Sequence, residues 1–465
     1  MTFWERIQRH NLFLPLVVVT IFAIALSMRI MRIDAFLSYH EDQVRDMLYI
    51  QKLFQNKEFI LLGPKASVGN FFLPPFWYYL MGLVYLFSHS PLYQGVMVAV
   101  ISALTAVILF IFGYRFFGMK IAVIASVLYA LSPISIEYSR FAWNPNPIPF
   151  FIALTLLGLY EFAFHKKEWG FVIGTVAANL ALQLHYQGSI IFLFFIGYLI
   201  VSRRMSLRKF FIYILLNTLL ISPFIIYELT HSFSNTNGIL SFLGHSQSLK
   251  WFGIPFYAKF IFYEFSLFLA NTLIIKNQFV GYLLLLLFAL SFLVKLKNEK
   301  ERLVRFFLLF SIFMLFIYKN SLIPFYLLFL ILPVIIYASI FLGRIKHNAL
   351  LLVVMIFIIV VTIATSPTFA QTDDTFMQIN QTVQKLSVNQ NYCIRYDVFK
   401  ETYIEKKFRY LFSVATQPPL SDSQICEKQY LICEPAKCPG ALIGRRYSQV
   451  QLQTNKAGVL IYEIQ

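Results

Sequence analysis

Long apolar runs, separated by short polar segments, dominate the first 366 residues of the chain. A membrane-crossing helix needs about 20 predominantly apolar residues, and eleven windows approach or reach that length. They lie at roughly 12–28, 92–114, 120–136, 148–164, 170–184, 189–201, 210–228, 279–294, 303–318, 322–342 and 349–366. Eleven crossings predict an all-α polytopic membrane protein whose two termini lie on opposite sides of the bilayer.

The composition agrees with a lipid environment. Of the 465 residues, 58% are hydrophobic and only 13% are charged, and the mean hydropathy is +0.68. A soluble enzyme, a disordered protein and a secreted disulfide-rich miniprotein are therefore excluded.

The net charge is +17, and the Lys and Arg residues responsible for it are distributed unequally between the two sides of the membrane. With the N-terminus inside, 17 Lys and Arg residues lie in the inner segments, so the positive-inside rule accounts for the charge without a nucleic-acid partner. We predict a multi-pass protein of the inner or plasma membrane with a cytoplasmic N-terminus and an extracytoplasmic C-terminus. Ala23-Ile24-Ala25 resembles a signal-peptide cleavage site, but Arg29 and Arg32 follow closely, which favours an uncleaved first helix.

Residues 29–91 form a long outer loop with two predicted helices. The first begins near Glu41 and separates its side chains into two faces, with Asp42, Arg45, Asp46 and Tyr49 on one and Val44, Met47 and Leu48 on the other. The second begins at Pro74-Pro75 and continues to Phe87. Counting it as a crossing would reverse every later loop against the charges, so we expect both helices at the membrane surface.

The segment 170–201 has basic residues at both ends and must therefore cross the membrane an even number of times. It is a hairpin with its tip at His185-Tyr186-Gln187-Gly188. Each arm has about 15 residues, or about 22 Å of helix, less than the ~30 Å hydrocarbon core. The tip should therefore lie in a recess open to the outside. The aromatic outer segment 229–278 is interrupted by Lys250, Lys259 and Glu264 and is predicted to be interfacial.

From about residue 367 the composition turns polar, which predicts two domains, a membrane domain 1–366 and a small extracytoplasmic α/β domain 367–465. The second domain contains all four cysteines, Cys393, Cys426, Cys433 and Cys438. Their spacing differs from the paired CxxC of zinc modules, and outside the cytoplasm we expect one or two disulfides, with three full pairings open.

The strongest candidate for chemistry is the first-loop segment Tyr39-His40-Glu41-Asp42-Gln43-Val44-Arg45-Asp46. A carboxylate beside a recess that excludes bulk water is well suited as a general base, and Asp42 is preferred over Glu41. The competing interpretation is a solvated acidic face, in which Arg45 pairs with Asp42 and Asp46 at helical spacing.

Several residues near the outer surface of the membrane each have two interpretations. Arg140 offers a planar fork of donors to a phosphate but is equally suited to snorkelling at the interface. Lys319 is an interfacial anchor first and a phosphate partner second. His185 alone favours a hydrogen-bonding core residue over a ligand or an acid. No HExxH, DxD, Walker loop or GxGxxG occurs in the chain, so metalloprotease and nucleotide-binding functions have no support.

These motifs, taken in order, resemble the GT-C membrane glycosyltransferases, specifically the protein O-mannosyltransferase and lipid A aminoarabinose transferase group. The resemblance covers residues 1 to about 366. It rests on Asp42-Gln43-Val44-Arg45, Gly63-Pro64 with Ser67, Pro74 through Leu80, Trp143-Asn144-Pro145, Gln183-Leu184-His185-Tyr186, and Lys319-Asn320-Ser321-Leu322 with Phe325 through Leu328 and Leu332-Pro333.

The resemblance implies that Asp42 is the catalytic base and that polyprenyl-phosphate-linked sugars are the donors. It makes Arg45, Arg140, Lys319, His185, Tyr186 and Asn144 the candidates for binding donor phosphate or substrate. The chain departs from the family at two points. Phe72-Leu73 stands where the family often has Glu-Lys, which removes one phosphate-binding Lys, and Gln43 replaces a frequent Glu, which puts metal or acceptor contacts there in question.

The sequence therefore predicts an inverting glycosyltransferase that moves a sugar from a polyprenyl-phosphate carrier to an acceptor hydroxyl of a glycan, lipid or protein on the outer membrane face. No cofactor is expected, and a divalent metal is the less favoured alternative. The first alternative is a flippase for lipid-linked sugars, but transporters usually have inverted repeats and ionisable groups near mid-helix, whereas here the ionisable residues collect in one outer loop and at helix ends. The second is a polysaccharide polymerase or ligase that uses a diphosphate carrier.

Overall fold

The computed structural model describes residues 13–66, 69–245, 254–317, 324–366, 375–388, 391–397, 403–415, 417–420, 426–433, 438, 447–450 and 460–464. The helices before the tail are α1 Phe13–Ile30, α2 Ile33–Phe36, α3 Glu41–Asn56, α4 Phe76–Tyr85, α5 Pro91–Phe117, α6 Met119–Leu131, α7 Pro133–Glu137, α8 Ile148–His165, α9 Glu168–Leu184, α10 Ser189–Val201, α11 Leu207–Leu220, α12 Ser222–Thr230, α13 Ser234–His245, α14 Ile254–Lys259, α15 Ser266–Leu273, α16 Gln278–Ser291, α17 Glu299–Ile317, α18 Ile331–Leu342 and α19 Asn348–Ala364. Short 3₁₀ segments lie at Tyr186–Gly188 and Pro324–Leu330, and a π-helix at Phe260–Phe265.

Each of the eleven apolar windows contains a helix. By length and hydropathy, α1, α5 and α8 are long and apolar enough to cross a bilayer, and the number rises to five in the described part of the chain if each bent helix pair counts as one span. Shorter apolar helices are α6, α19 and the segments Tyr186–Val201 and Tyr326–Leu342. The protein is a multi-pass membrane protein, and the count of eleven crossings and the orientation of the termini stay predictions.

Small residues allow the central helices to approach closely. A Cβ atom added to Gly158 on α8 would lie 2.6 Å from the carbonyl oxygen of Gly170 and 2.7 Å from the amide nitrogen of Gly174, both on α9. No side chain fits that gap, so the two backbones pack directly, as is common between membrane helices.

The hairpin 170–201 consists of α9, the 3₁₀ turn and α10. The arms have 17 and 13 residues, which at 1.5 Å per residue is about 26 and 20 Å. Both arms are shorter than a ~30 Å hydrocarbon core, so the observed helix lengths still support a hairpin tip that is recessed below the outer surface. The turn is tightly packed, because a Cβ atom on Gly188 would lie 2.0 Å from the carbonyl oxygen of Ala181.

Two further segments bend sharply. Helices α11 and α12 meet at 68°, and the helical run Phe256–Leu273 meets α16 at 93°. The near-perpendicular bend between Phe256–Leu273 and α16 is the geometry expected when a helix along the membrane surface is followed by a helix that crosses the membrane. The residues 246–253, which include Lys250 of the predicted interfacial segment, lie outside the described residues.

The first outer loop contains α2, α3 and α4. The predicted apolar face of α3 is buried at Val44 and Met47, while Leu48 is only partly buried and Ile50 is buried in addition. Asp46, however, is fully buried as well, so the polar face of α3 is solvated only in part, at Asp42, Arg45 and Tyr49. It packs against α4, whose Trp77 is also fully buried.

The tail contains α20 Thr375–Leu386, β1 Tyr392–Asp397, α21 Tyr403–Ser413, β2 Lys428–Cys433, β3 Tyr447–Val450 and β4 Leu460–Ile464. The sheet order is β1-β2-β4-β3, with β1 and β2 parallel and the other neighbours antiparallel. Helix α21 is thus the crossover between the two parallel strands. Disulfides join Cys393 to Cys426 and Cys433 to Cys438, so the predicted α/β character and disulfide content are both present.

Candidate active site

Asp42 and Asp46 lie one helical turn apart on α3 and share the guanidinium of Arg45. Arg45 Nη1 donates to Asp42 Oδ1 at 2.6 Å, and Arg45 Nε and Nη2 donate to Asp46 Oδ1 at 2.9 and 2.8 Å. The side chains of Asp42 and Arg45 are both 35% exposed. The guanidinium is therefore a bridge that fixes the half-buried Asp42 to the fully buried Asp46.

Helix α4 completes the surroundings of Asp46. Trp77 Nε1 donates to Asp46 Oδ2 at 2.8 Å, and the Tyr78 hydroxyl donates to Asp46 Oδ1 at 3.1 Å. Burial raises the pKa of Asp46, while the charge and hydrogen bonds of Arg45 and the bond from Trp77 act in the opposite direction. A buried carboxylate with four donors anchors α3 to α4, which gives Asp46 a structural role.

The start of α3 is held by a capping interaction. The backbone N–H of His40 donates to Gln43 Oε1 at 2.9 Å, and Gln43 is buried. The Gln that replaces the family's frequent Glu thus closes the first turn of the helix. Glu41 is exposed at this same turn.

The connection between α7 and α8 reaches both Asp42 and the hairpin. Trp143 Nε1 donates to Asp42 Oδ2 at 3.0 Å, and the neighbouring Asn144 Nδ2 donates to the carbonyl oxygen of Leu184 at 2.6 Å. Leu184 is the last residue of α9 and immediately precedes His185. Two adjacent side chains therefore link the candidate base to the hairpin tip.

The tip is also tied to the first loop. The Tyr186 hydroxyl donates to the carbonyl oxygen of Phe72 at 3.0 Å, and its ring meets Phe71 edge to face at 5.4 Å. His185 Nδ1 accepts the backbone N–H of Gln187 at 3.3 Å, which leaves the proton of the neutral imidazole on Nε2. Asp42, Arg45, Asn144, His185 and Tyr186 are thereby joined by a short series of contacts.

Arg140 has different surroundings. Its Nη2 donates to the carbonyl oxygen of Met28 at the end of α1 at 2.8 Å, and its guanidinium carbon lies 4.5 Å from the centroid of the Phe36 ring. Burial lowers the pKa of Arg140 to about 10, and the charges of Arg29 and Arg32 contribute in the same direction. Arg140 is therefore one of three arginines at the end of α1.

Lys319 lies outside the described residues. A cation that the sequence reasoning did not single out is Lys65, which is exposed and forms an isolated antiparallel bridge with Phe72. Its Nζ lies 5.9 Å from the centroid of the Phe72 ring, next to the carbonyl oxygen that Tyr186 contacts. The turn-forming residues Gly63-Pro64 and Gly69-Asn70 could have indicated this position from the sequence, since a chain reversal between them places Lys65 opposite Phe72.

The tail packs over the same loop. The rings of Tyr39 and Phe376 meet edge to face at 5.4 Å, and the Tyr410 hydroxyl donates to the carbonyl oxygen of His89 at 2.6 Å. On the exposed side, Gln51 Nε2 of α3 donates to Ser413 Oγ at 3.0 Å. Among the described residues no three His, Cys, Asp or Glu side chains form a group suited to a metal ion.

Comparison with solved structures identifies the fold. ArnT from Cupriavidus metallidurans bound to undecaprenyl phosphate superposes with a TM-score of 0.60 over 97% of each chain at 13% identity. The apo form of the same protein gives 0.61 over 98% of each chain, also at 13% identity. The chain has the ArnT fold. A family model, dolichyl-phosphate-mannose-protein mannosyltransferase, independently matches residues 73–227.

The residues matched by the family model include α4, the α7–α8 connection and the hairpin. Helix α4 and the α7–α8 connection each contact α9 of the hairpin. Together, the two findings confirm the resemblance to this group of GT-C transferases. A protein of Aquifex aeolicus (strain VF5), described only as uncharacterized, is 32% identical over 111 residues, which is 23% of this chain and 22% of that protein. This match spans about a fifth of the relative's length.

Proposed function

We propose that the protein is an inverting glycosyltransferase that moves a sugar from a polyprenyl-phosphate carrier to an acceptor hydroxyl on the outer face of the membrane. One observation carries the proposal. The carboxylate of Asp42, about a third of whose side chain is exposed, is held by Arg45 and Trp143 next to the hairpin tip, in a fold shared with ArnT, whose solved structure contains undecaprenyl phosphate.

In the proposed reaction, Asp42 accepts the proton of the acceptor hydroxyl. The freed oxygen attacks the anomeric carbon of the donor sugar from the face opposite the phosphate, and a new C–O bond forms with inversion. The bond between the anomeric carbon and the phosphate oxygen breaks, and its electron pair leaves with the polyprenyl phosphate. The proton on Asp42 then passes to water.

The ion pair with Arg45 supports this role, because its hydrogen bond to Asp42 Oδ1 fixes the orientation of the carboxylate. Arg45 has five N–H groups, and the three hydrogen bonds to Asp42 and Asp46 leave two for another acceptor. Arg45 is therefore proposed both to orient Asp42 and to contact the departing phosphate.

The leaving group acquires negative charge in the transition state, so cations near it lower the barrier. Lys65 is proposed to supply one, since it lies opposite Phe72, in the segment Phe72-Leu73 where the family often has Glu-Lys. Arg140 and Lys319 are proposed as further contributors. For Arg140 the support is the positive potential of the three arginines at the end of α1.

The proposal is tested by reconstituting the purified protein in liposomes with a polyprenyl-phosphate sugar and following the release of sugar-free polyprenyl phosphate. A mass-spectrometric survey of glycans and glycolipids in a deletion strain identifies the sugar and the acceptor. Release of polyprenyl diphosphate from a polyprenyl-diphosphate-linked sugar supplied in its place, with no cleavage of the monophosphate donor, would favour a polymerase or ligase. Movement of the intact donor between leaflets without cleavage would favour a flippase.

A further inference from the structure

The tail contacts the chain immediately before the candidate base. Tyr39 lies three residues before Asp42 and is 2% exposed. Its ring packs against Phe376 of α20, and Lys407 Nζ of α21 lies 6.0 Å from its centroid. Phe376 and Lys407 are themselves buried. Two helices of the tail therefore enclose the residue that leads into α3.

A second contact holds the other end of the loop. Tyr410 of α21 is fully buried, and its hydroxyl donates to the carbonyl oxygen of His89, in the connection between α4 and α5. The His89 ring stacks on Tyr85 at 4.3 Å, at the end of α4. One tail helix thus spans from the start of α3 to the end of α4, the two helices that share Asp46.

The tail is built to hold such a position. Helix α21 is the crossover between the parallel strands β1 and β2, and the Cys393–Cys426 disulfide closes the same unit. Phe412 of α21 packs its ring against Tyr392 of β1 at 6.2 Å between centroids, which fixes the helix to the sheet. Tyr410 and Lys407 therefore lie on a helix that is fixed to the rest of the tail.

Small displacements of a base matter to the rate, because proton transfer requires hydrogen-bond reach and a misplacement of about 1 Å can cost about a hundredfold. We propose that the tail positions Asp42 through the Tyr39–Phe376 contact, and that this contact sets the turnover rate. The inference rests on the proposed function. Tyr39 and Phe376 are positioning residues in it, since neither contacts the reacting groups.

The hydroxyl of Tyr39 sharpens the test. It is buried, and it has no hydrogen-bond partner in the part of the chain that the structure describes. The ring alone then makes the contact with Phe376. Tyr39→Phe should keep the wild-type kcat, whereas Tyr39→Leu should lower it.

The experiment is a double-mutant cycle in the full-length protein, using Tyr39→Leu, Phe376→Leu and both together. Each single variant should lower kcat about tenfold with the donor KM unchanged, and the double variant should be no slower than either, as expected for residues that act through one contact. Phe412→Leu is the matched control, because Phe412 is a buried aromatic of the same tail whose ring packs against Tyr392 and Phe408. It should lower thermal stability and leave kcat unchanged.

Hydrogen exchange provides a readout that does not require activity. In Phe376→Leu, the amides of residues 41–46 should exchange faster, while those of α5 and α8 keep their protection. Unchanged exchange at 41–46, an unchanged kcat, or an equal kcat loss in Phe412→Leu would each overturn the inference while the transferase proposal stands. Lack of sugar transfer by the wild type would instead overturn the proposed function, and with it the catalytic part of the inference.

Discussion

Trp143 donates its indole N–H to the carboxylate of Asp42 across 101 residues of sequence, at 3.0 Å. The opposite oxygen of the same carboxylate accepts from Arg45 at 2.6 Å. Asp42 is thereby held on both sides while about a third of its side chain stays exposed. A carboxylate fixed in this way can meet an acceptor without first reorganising, which is the property that preorganised active sites require.

Replacing Trp143 with Phe should lower kcat about tenfold, since a hydrogen bond to a charged group is worth about 1.5–3 kcal/mol and part of that acts on the position of Asp42. The donor KM should change little. Trp77→Phe is the matched control, because it removes the equivalent bond to Asp46, which is fully buried. Its main effect should be a lower Tm. If Trp143→Phe keeps the wild-type kcat, this hydrogen bond does not position the base.

Lys65→Ala should raise the donor KM about tenfold, because a lost phosphate contact costs about 1.4 kcal/mol or more. The KM for the acceptor should stay the same. Lys52→Ala is the control, since Lys52 is an exposed lysine of the same loop on α3. Steady-state kinetics at two salt concentrations separates a specific contact from general attraction to the membrane. Equal effects of the two substitutions would assign Lys65 to the latter.

Arg140→Ala and Lys319→Ala should impair use of the lipid donor more than use of the acceptor. Arg140 is 1% exposed and bonded to Met28, so Arg140→Ala should also lower Tm, whereas Arg140→Lys keeps the charge. Recovery of donor use in Arg140→Lys would indicate that the charge matters. Unchanged donor KM and kcat in the alanine variants would assign both residues to anchoring.

The sequence predicts the helices well because lipid imposes a simple rule. Each apolar window contains a helix, and the turn Tyr186–Gly188 lies at the predicted tip. Periodicity also identifies the faces of α3, but it does not reveal what packs on them. The burial of Asp46 depends on Trp77 and Tyr78, 31 and 32 residues away, and no local pattern encodes that contact.

The same limit applies to the site. The sequence indicates Asp42 and Arg45 as an ion pair because they are separated by one helical turn. Lys65 escapes notice because its position depends on an antiparallel bridge to Phe72, and the packing of the tail on Tyr39 depends on contacts across more than 300 residues. Long-range packing of this kind is decided by shape rather than by local propensity.

Reporter fusions test the predicted topology. Fusions after Lys346 and after Thr372 lie on either side of α19, so they should give opposite signals, cytoplasmic for the first and extracytoplasmic for the second. A fusion after Arg204, in the connection between α10 and α11, should match the first of these. Identical signals after Lys346 and Thr372 would rule out the model with eleven crossings.

The most direct test of the account is the activity of Asp42→Asn. A well-placed general base contributes about 10² to 10⁴ in rate, and the amide keeps the size of the side chain without its basicity. In the reconstituted assay, purified Asp42→Asn should show at least a hundredfold lower kcat with unchanged Tm and donor binding, while Glu41→Gln, at the exposed neighbouring position, should be much milder. Transfer by Asp42→Asn at the wild-type rate would contradict the assignment of Asp42 as the base.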